Sequence, residues 1–60
     1  MDQLLKFFAY EHLPEHLQEV SKPFCDVAHL IRHTLEPSAE ATTCLRKLLE
    51  AKDCAVRAAL

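Results

Sequence analysis

Glycine and tryptophan are both absent from this 60-residue chain. Rossmann and P-loop phosphate sites need residues without a Cβ where the backbone approaches the ligand, so the lack of glycine excludes both. It also argues against tight two-residue β-hairpins, whose turns favour glycine. β-Branched residues are few, whereas leucine, alanine, glutamate and lysine are common. The composition therefore predicts an all-α fold.

Long apolar runs and an excess of basic charge are missing too. No stretch approaches the roughly 20 apolar residues that span a membrane, and the start MDQLLKFFAY lacks the basic region and apolar run of a secretory signal. We therefore expect a cytoplasmic protein with no membrane partner. The net charge of −2 gives no basic face for long nucleic acid. A small anionic ligand needs only a few cations at an interface.

Cysteine and histidine patterns do not predict a metal site. The three cysteines lack CxxC spacing, and we expect them to be reduced, small core residues: Cys25, Cys44 and Cys54. His12 and His16 are four apart, as are His29 and His33, but no further ligand is placed to complete a site. We expect neither a metal nor a cofactor, and a metal-stabilised small domain is the weakest of the alternatives.

Three helical segments are predicted within one helical-hairpin domain, residues 1–60. A short first segment, 2–10, has Asp2 as its candidate cap and ends where Leu13 precedes Pro14. The second begins at Pro14 and carries a helical row of apolar residues: Leu17, Val20, Phe24, Val27, Ile31 and Leu35. Pro23 allows one bent helix or two abutting helices, and the continuous apolar register favours one.

The third segment follows Pro37, with Ser38 as its predicted N-cap. A connection of about four residues makes the last two helices an antiparallel hairpin. The third helix is apolar over a wide arc, so one stripe packs on the second helix. The other stripe needs the N-terminal helix or another subunit.

Self-association is expected because so short a chain hides only about 60% of its unfolded surface, while half of its residues are hydrophobic. The predicted oligomer interface combines the N-terminal apolar patch with the second stripe: Leu4, Phe7, Phe8, Leu49, Val56 and Leu60.

No motif sets a nucleophile beside a base, and a two-helix hairpin offers no deep cleft, so we expect no enzyme. Tyr10 sits where the first segment breaks, and Lys22 directly precedes Pro23. A stacking ring and a few cations are the usual parts of a nucleotide site. The alternative is that Tyr10 is a half-buried amphipathic side chain and the cations are solvated.

A resemblance to a known family rests on three stretches: FAYEHLPEHLQ, the apolar DVAHLI, and PSAEATTCLRKLLEAKDCAVRAAL after the proline break. Over nearly its whole length the chain resembles the phage anti-CBASS cyclic-oligonucleotide sponges, most closely those of T-even coliphages. The resemblance implies a helical hairpin that assembles as a homohexamer in the cytoplasm of the infected bacterial host. It also implies that the protein binds and sequesters cyclic di- and trinucleotide immune messengers without degrading them.

The resemblance also implies roles for particular residues. Tyr10 matches the family's base-stacking tyrosine and Lys22 its phosphate-contacting lysine, while Arg57 matches a helix-three arginine; His12 joins them as a ligand candidate. The chain departs from the pattern at Glu11, where relatives often have histidine, and at Ala39, where many have the arginine of the trinucleotide site. The alternative function is a small helical interaction module that binds a host protein through its second apolar stripe.

Overall fold

A computed structural model describes residues 2–60, except the side chain of Asp2, so the predicted Asp2 cap lies outside the described part. Helix α1 spans Asp2–Leu5 and continues as a 3₁₀ turn, Lys6–Phe8. Helix α2 spans Glu15–Thr34 and helix α3 spans Ala39–Ala59. The described residues contain no strand. The predicted all-α fold, with a short N-terminal helix and a helical hairpin, is confirmed.

Helix α2 runs through Pro23 as one helix, which confirms the favoured alternative. Pro14 occupies its N-cap position and Glu15 its first turn, where a carboxylate favours the helix dipole. The helix ends at Thr34 because Leu35 adopts an extended conformation two residues before Pro37. Residues close to each helix end thus determine where α2 begins and ends.

Ser38 caps helix α3, as predicted. Its backbone is extended and its Oγ accepts a hydrogen bond from the Ala41 backbone N–H at 3.0 Å. Residues 35–38 form the four-residue connection. Helix α3 has 21 residues, or about 31 Å at 1.5 Å per residue, which accounts for the 33 Å longest dimension of the chain.

The core lies where both helices meet the N-terminal segment, residues 2–10. Phe8, Ala28 and Leu45 form a cluster with no exposed surface. Leu17 and Ser21 are also buried on α2, whereas Val27 is 42% exposed. Leu17, Phe24 and Ile31 of the predicted row thus lie in or against the core, while Ser21 and Ala28 are buried and Val27 is not.

The N-terminal segment contacts part of the second stripe of α3, one of the two predicted alternatives. The Lys52 Nζ donates a hydrogen bond to the Phe7 carbonyl oxygen at 2.9 Å, and Leu49 packs against the cluster that contains Phe8. The prediction that Phe8 belongs to the oligomer interface is therefore wrong. Its ring is buried in the core of its own chain and has no exposed surface for a second copy.

The prediction that all three cysteines are core residues is wrong. Cys44 and Cys54 are exposed and Cys25 is half-buried; all three are free thiols. Cys25 packs against the core cluster, whereas the two exposed thiols of α3 are not part of it.

Candidate functional site

Tyr10 lies in the turn between the N-terminal 3₁₀ helix and α2, with its side chain half-buried. Its carbonyl oxygen accepts a hydrogen bond from the Leu13 backbone N–H at 3.0 Å, and its own N–H donates to the Glu11 Oε2 at 3.3 Å. These local bonds close a tight turn just after the ring.

Gln18 holds this turn from the first turns of α2. Its Nε2 donates to the Leu13 carbonyl oxygen at 2.8 Å and to the Glu11 carbonyl oxygen at 3.2 Å. On the other side of Tyr10, the Phe7 carbonyl oxygen accepts the bond from Lys52. The tyrosine is therefore bracketed by two side chains that bond the backbone on either side of it.

Sequence reasoning missed the roles of Gln18 and Lys52. A glutamine four residues after Pro14 lies in the first turns of the helix, and its side-chain amide can reach back to the carbonyl oxygens of the turn before it. The role of Lys52 has no local signal of this kind. Its partner is a backbone atom 45 residues away in the chain.

The predicted cations are on the outside of the hairpin. Lys22 is exposed on α2, and no hydrogen bond or ion pair to it occurs among the described residues. Arg57 is exposed in the last turn of α3, where its Nη2 lies 3.4 Å from the Cys54 Sγ. Both side chains are accessible to solvent.

His12 is exposed in the turn after Tyr10. No hydrogen bond or ion pair in the described part of the chain joins any two of Tyr10, His12, Lys22 and Arg57. Lys22 and Arg57 are exposed on different helices, α2 and α3.

The remaining histidines, His29 and His33, are exposed on α2. Among residues 2–60 no group of three or more histidine, cysteine or acidic side chains is arranged to hold a metal ion. Burial raises the pKa of the Cys25 thiol; the Asp26 and Glu11 carboxylates add to the increase, and the Lys52 cation opposes it.

The predicted interface residues differ in exposure. Leu60 is 84% exposed and Phe7 is 51% exposed, whereas Leu4, Leu49 and Val56 are half-buried. The structure adds exposed apolar side chains that the prediction did not place at the interface. Leu30 is 63% exposed, Leu35 44% and Val27 42%.

No helix in the described part of the chain is long and apolar enough to cross a membrane. Comparison with protein-family models, with curated proteins and with solved structures finds no match in any of the three. The class that the structure defines is a helical hairpin closed on one side by a short N-terminal segment.

Proposed function

We propose that this protein is a phage counter-defence sponge. As a homo-oligomer, with a hexamer as the expected assembly, it binds cyclic di- and trinucleotide messengers of CBASS immunity in the infected cell and does not degrade them. The proposal rests on the family resemblance and on one structural observation. That observation is the fixed turn that carries Tyr10 between the bonds made by Lys52 and Gln18.

A fixed turn favours binding because little conformational entropy is lost when a base stacks on the ring. The Tyr10 side chain is half-buried, so one part of it packs on the protein while the rest stays available. Tyrosine loses few rotamers on binding and offers both a flat face and a hydroxyl group. These are the properties that a base-stacking residue needs.

Phosphate charge is met by Lys22 and Arg57, which are both exposed. Each chain donates only one or two cations, and symmetry multiplies them around a cyclic ligand that is itself nearly symmetric. The net charge of the chain can therefore stay at −2 while each shared pocket is locally positive. His12, in the turn beside Tyr10, is the remaining ligand candidate.

Isothermal titration calorimetry with cyclic di- and trinucleotides tests the proposal. Stacking is worth about 1–3 kcal/mol per base, so Tyr10→Ala should weaken binding by about fivefold to 150-fold, while Tyr10→Phe keeps the ring and most of the affinity. Lys22→Ala should weaken binding, whereas Arg46→Ala, which removes another exposed cation, should not. Absence of binding by every cyclic nucleotide contradicts the proposal.

Sequestration without cleavage has a separate readout. The ligand is incubated with the protein, the protein is denatured, and the released nucleotide is identified by mass spectrometry. We expect intact cyclic nucleotide with the same mass as the input. A linearised product would show hydrolysis and contradict the non-enzymatic part of the proposal.

A second candidate function, a hairpin that binds a host protein, is favoured by the exposed Leu30 and Val27 on α2. It predicts a chain that is monomeric alone by light scattering and that recovers one stoichiometric protein partner from host lysate. An oligomer that binds cyclic nucleotides and recovers no such partner counts against it.

A further inference from the structure

One row of mostly apolar residues on α2 is exposed over most of its length, with Val20 half-buried at its start. Its spacing of three and four is that of a coiled-coil seam, and its members are Val20, Pro23, Val27, Leu30 and Thr34. Leu30 is 63% exposed and Val27 42%. This row lies beside the buried stripe that contains Ala28, so α2 has one apolar stripe inside the fold and a second stripe outside it.

Helix α3 carries a matching row of smaller residues with the same spacing: Cys44, Leu48, Ala51, Ala55 and Ala58. Cys44, Ala51 and Ala58 are exposed, whereas Ala55 is half-buried and Leu48 packs partly against the core cluster of its own chain. The N-terminal segment contacts α3 on another side, through Leu49 and Lys52. The two rows together form what we call the open face of the hairpin.

We infer that the open face binds the open face of a second copy, so that two hairpins form a four-helix bundle. The two-fold axis runs parallel to the helices and places α2 of each copy on α3 of the other. The inference deepens the self-association part of the proposed function and rests on that part, and it is independent of which ligand is bound.

Side-chain size is the first argument for a second copy as the partner. The α2 row has bulky residues, including Val27 and Leu30, whereas the α3 row is mostly alanine with Cys44. Cores pack well when large residues on one element meet small residues on the next. Placing α2 on the partner's α3 meets this condition on both halves of the interface at once, as a two-fold interface requires.

Charge is the second argument. Ala28 and Leu45 meet in the core, so in this antiparallel hairpin Asp26 lies level with Lys47, and His33 lies level with Glu40. A two-fold axis parallel to the helices preserves these levels. Asp26 therefore lies opposite the partner's Lys47, which gives two oppositely charged pairs around the dimer, and the His33 imidazole faces the partner's Glu40 carboxylate.

The other two-fold arrangement places α2 on the partner's α2. Bulky residues would then face bulky residues, and Asp26 would approach the partner's Asp26. Like charges placed opposite one another are destabilising. Size and charge thus select the same arrangement independently.

The open face is large for a surface left to solvent. The row from Val20 to Thr34 is about 21 Å long at 1.5 Å per residue, and the two helix axes are about 8–10 Å apart. Soluble monomers rarely expose contiguous apolar patches larger than a few hundred Å². Phe8 and Leu45 are the only large side chains fully buried in the described chain, so the fold gains much from covering this face.

Sedimentation analysis over a range of protein concentrations tests the interface. The wild-type chain should be a dimer or an assembly built from dimers. Leu30→Asp should raise the dissociation constant of the dimer by about a hundredfold or more, because a two-fold interface contains each substitution twice. Leu35→Asp adds the same charge at an exposed leucine that belongs neither to the two rows nor to the predicted oligomer interface, and should leave the mass unchanged.

Circular dichroism should show that Leu30→Asp remains helical, since Leu30 lies outside the core. A wild-type chain that stays monomeric up to millimolar concentration overturns the inference, as does an assembly whose mass ignores Leu30→Asp.

A charge swap tests the arrangement of the two copies. Lys47→Glu puts like charges opposite the partner's Asp26 and should weaken the dimer, whereas Arg46→Glu on another side of α3 should not. Adding Asp26→Lys to Lys47→Glu should restore the dimer. Failure of the double variant to recover overturns the proposed arrangement. A dimer that ignores cyclic nucleotides would refute the ligand proposal and leave the interface intact.

Discussion

The side-chain ammonium group of Lys52 donates a hydrogen bond to the backbone carbonyl oxygen of Phe7 at 2.9 Å, across 45 residues of chain. The Lys52 side chain is only 12% exposed. This bond attaches the N-terminal segment to α3 directly beside Phe8, whose ring fills the core. It also fixes one side of the turn that carries Tyr10.

Replacing Lys52 by methionine keeps most of the apolar stem and removes the donor. Hydrogen bonds that involve a charged group contribute about 1.5–3 kcal/mol, and the partial exposure of this bond places the expected loss at the lower end. Urea denaturation followed by circular dichroism measures the free energy of unfolding. Arg46→Met, which removes an exposed cation from the same helix, is the control and should change it little. Equal effects of the two variants would contradict the role of the Lys52 bond.

Phe8 and Phe7 are adjacent phenylalanines with opposite roles. Phe8 has no exposed surface, whereas Phe7 is 51% exposed. Truncating a buried phenylalanine to alanine costs about 3–5 kcal/mol, which is most or all of the stability of so small a domain. Phe8→Ala should therefore lose cooperative thermal unfolding, while Phe7→Ala should keep it. A cooperative transition for Phe8→Ala near the wild-type temperature would show that the N-terminal segment is not part of the core.

Ser21 is fully buried on α2, and no hydrogen-bond partner for its Oγ occurs among the described residues. A buried hydroxyl without a partner costs about 1–3 kcal/mol of desolvation, and alanine is the better helix former. Ser21→Ala should therefore raise the melting temperature. A lower melting temperature for Ser21→Ala would show that the Ser21 hydroxyl has a hydrogen-bond partner.

Ser38→Ala removes the N-cap hydrogen bond from the Ala41 backbone N–H and should lower the free energy of unfolding by about 1 kcal/mol.

The three thiols should react with an alkylating reagent at different rates. The thiolate is the reactive form, and burial, aided by Asp26 and Glu11, raises the pKa of the Cys25 thiol above its ordinary value. Cys44 and Cys54 are exposed. Peptide mass spectrometry after timed alkylation between about pH 7 and pH 9 should find Cys25 modified last. Modification of Cys25 as fast as Cys54 would contradict its position against the core.

The raised pKa of the Cys25 thiol also predicts the direction in which stability changes with pH. A thiol whose pKa is higher in the folded chain contributes stability that is present below the pKa of the unfolded chain and is lost as the pH rises through the folded-state pKa. The free energy of unfolding should therefore decrease in alkaline solution. Cys25→Ala should reduce this decrease, since alanine has no thiol to ionise.

The helices could be predicted because nearby residues mark where each one begins and ends. Pro14, Pro37 and the cap at Ser38 lie at these ends, and the apolar spacing continues past Pro23 without a break. The turn at Tyr10 followed from the same signals. None of these features depends on where distant parts of the chain come to lie.

Which residues of each helix are buried could not be predicted from such local signals. From their small side chains, Ser21 and Ala28 are not expected to be core residues, yet both are fully buried. Val27 has a large apolar side chain that favours the core, yet it is 42% exposed. The Lys52 bond joins a side chain to a distant backbone atom, which no spacing pattern encodes.

The central claim, that this chain sequesters cyclic oligonucleotides, is tested most directly by melting curves with a panel of cyclic di- and trinucleotides. Ligand at a hundredfold excess over its dissociation constant stabilises the folded state by about 2.7 kcal/mol, and each kcal/mol raises the melting temperature of a domain this small by about 4–8 °C. We predict a rise of about 10 °C or more with at least one cyclic nucleotide and none with its linear counterpart. A melting temperature unchanged by the whole panel would contradict the proposed function.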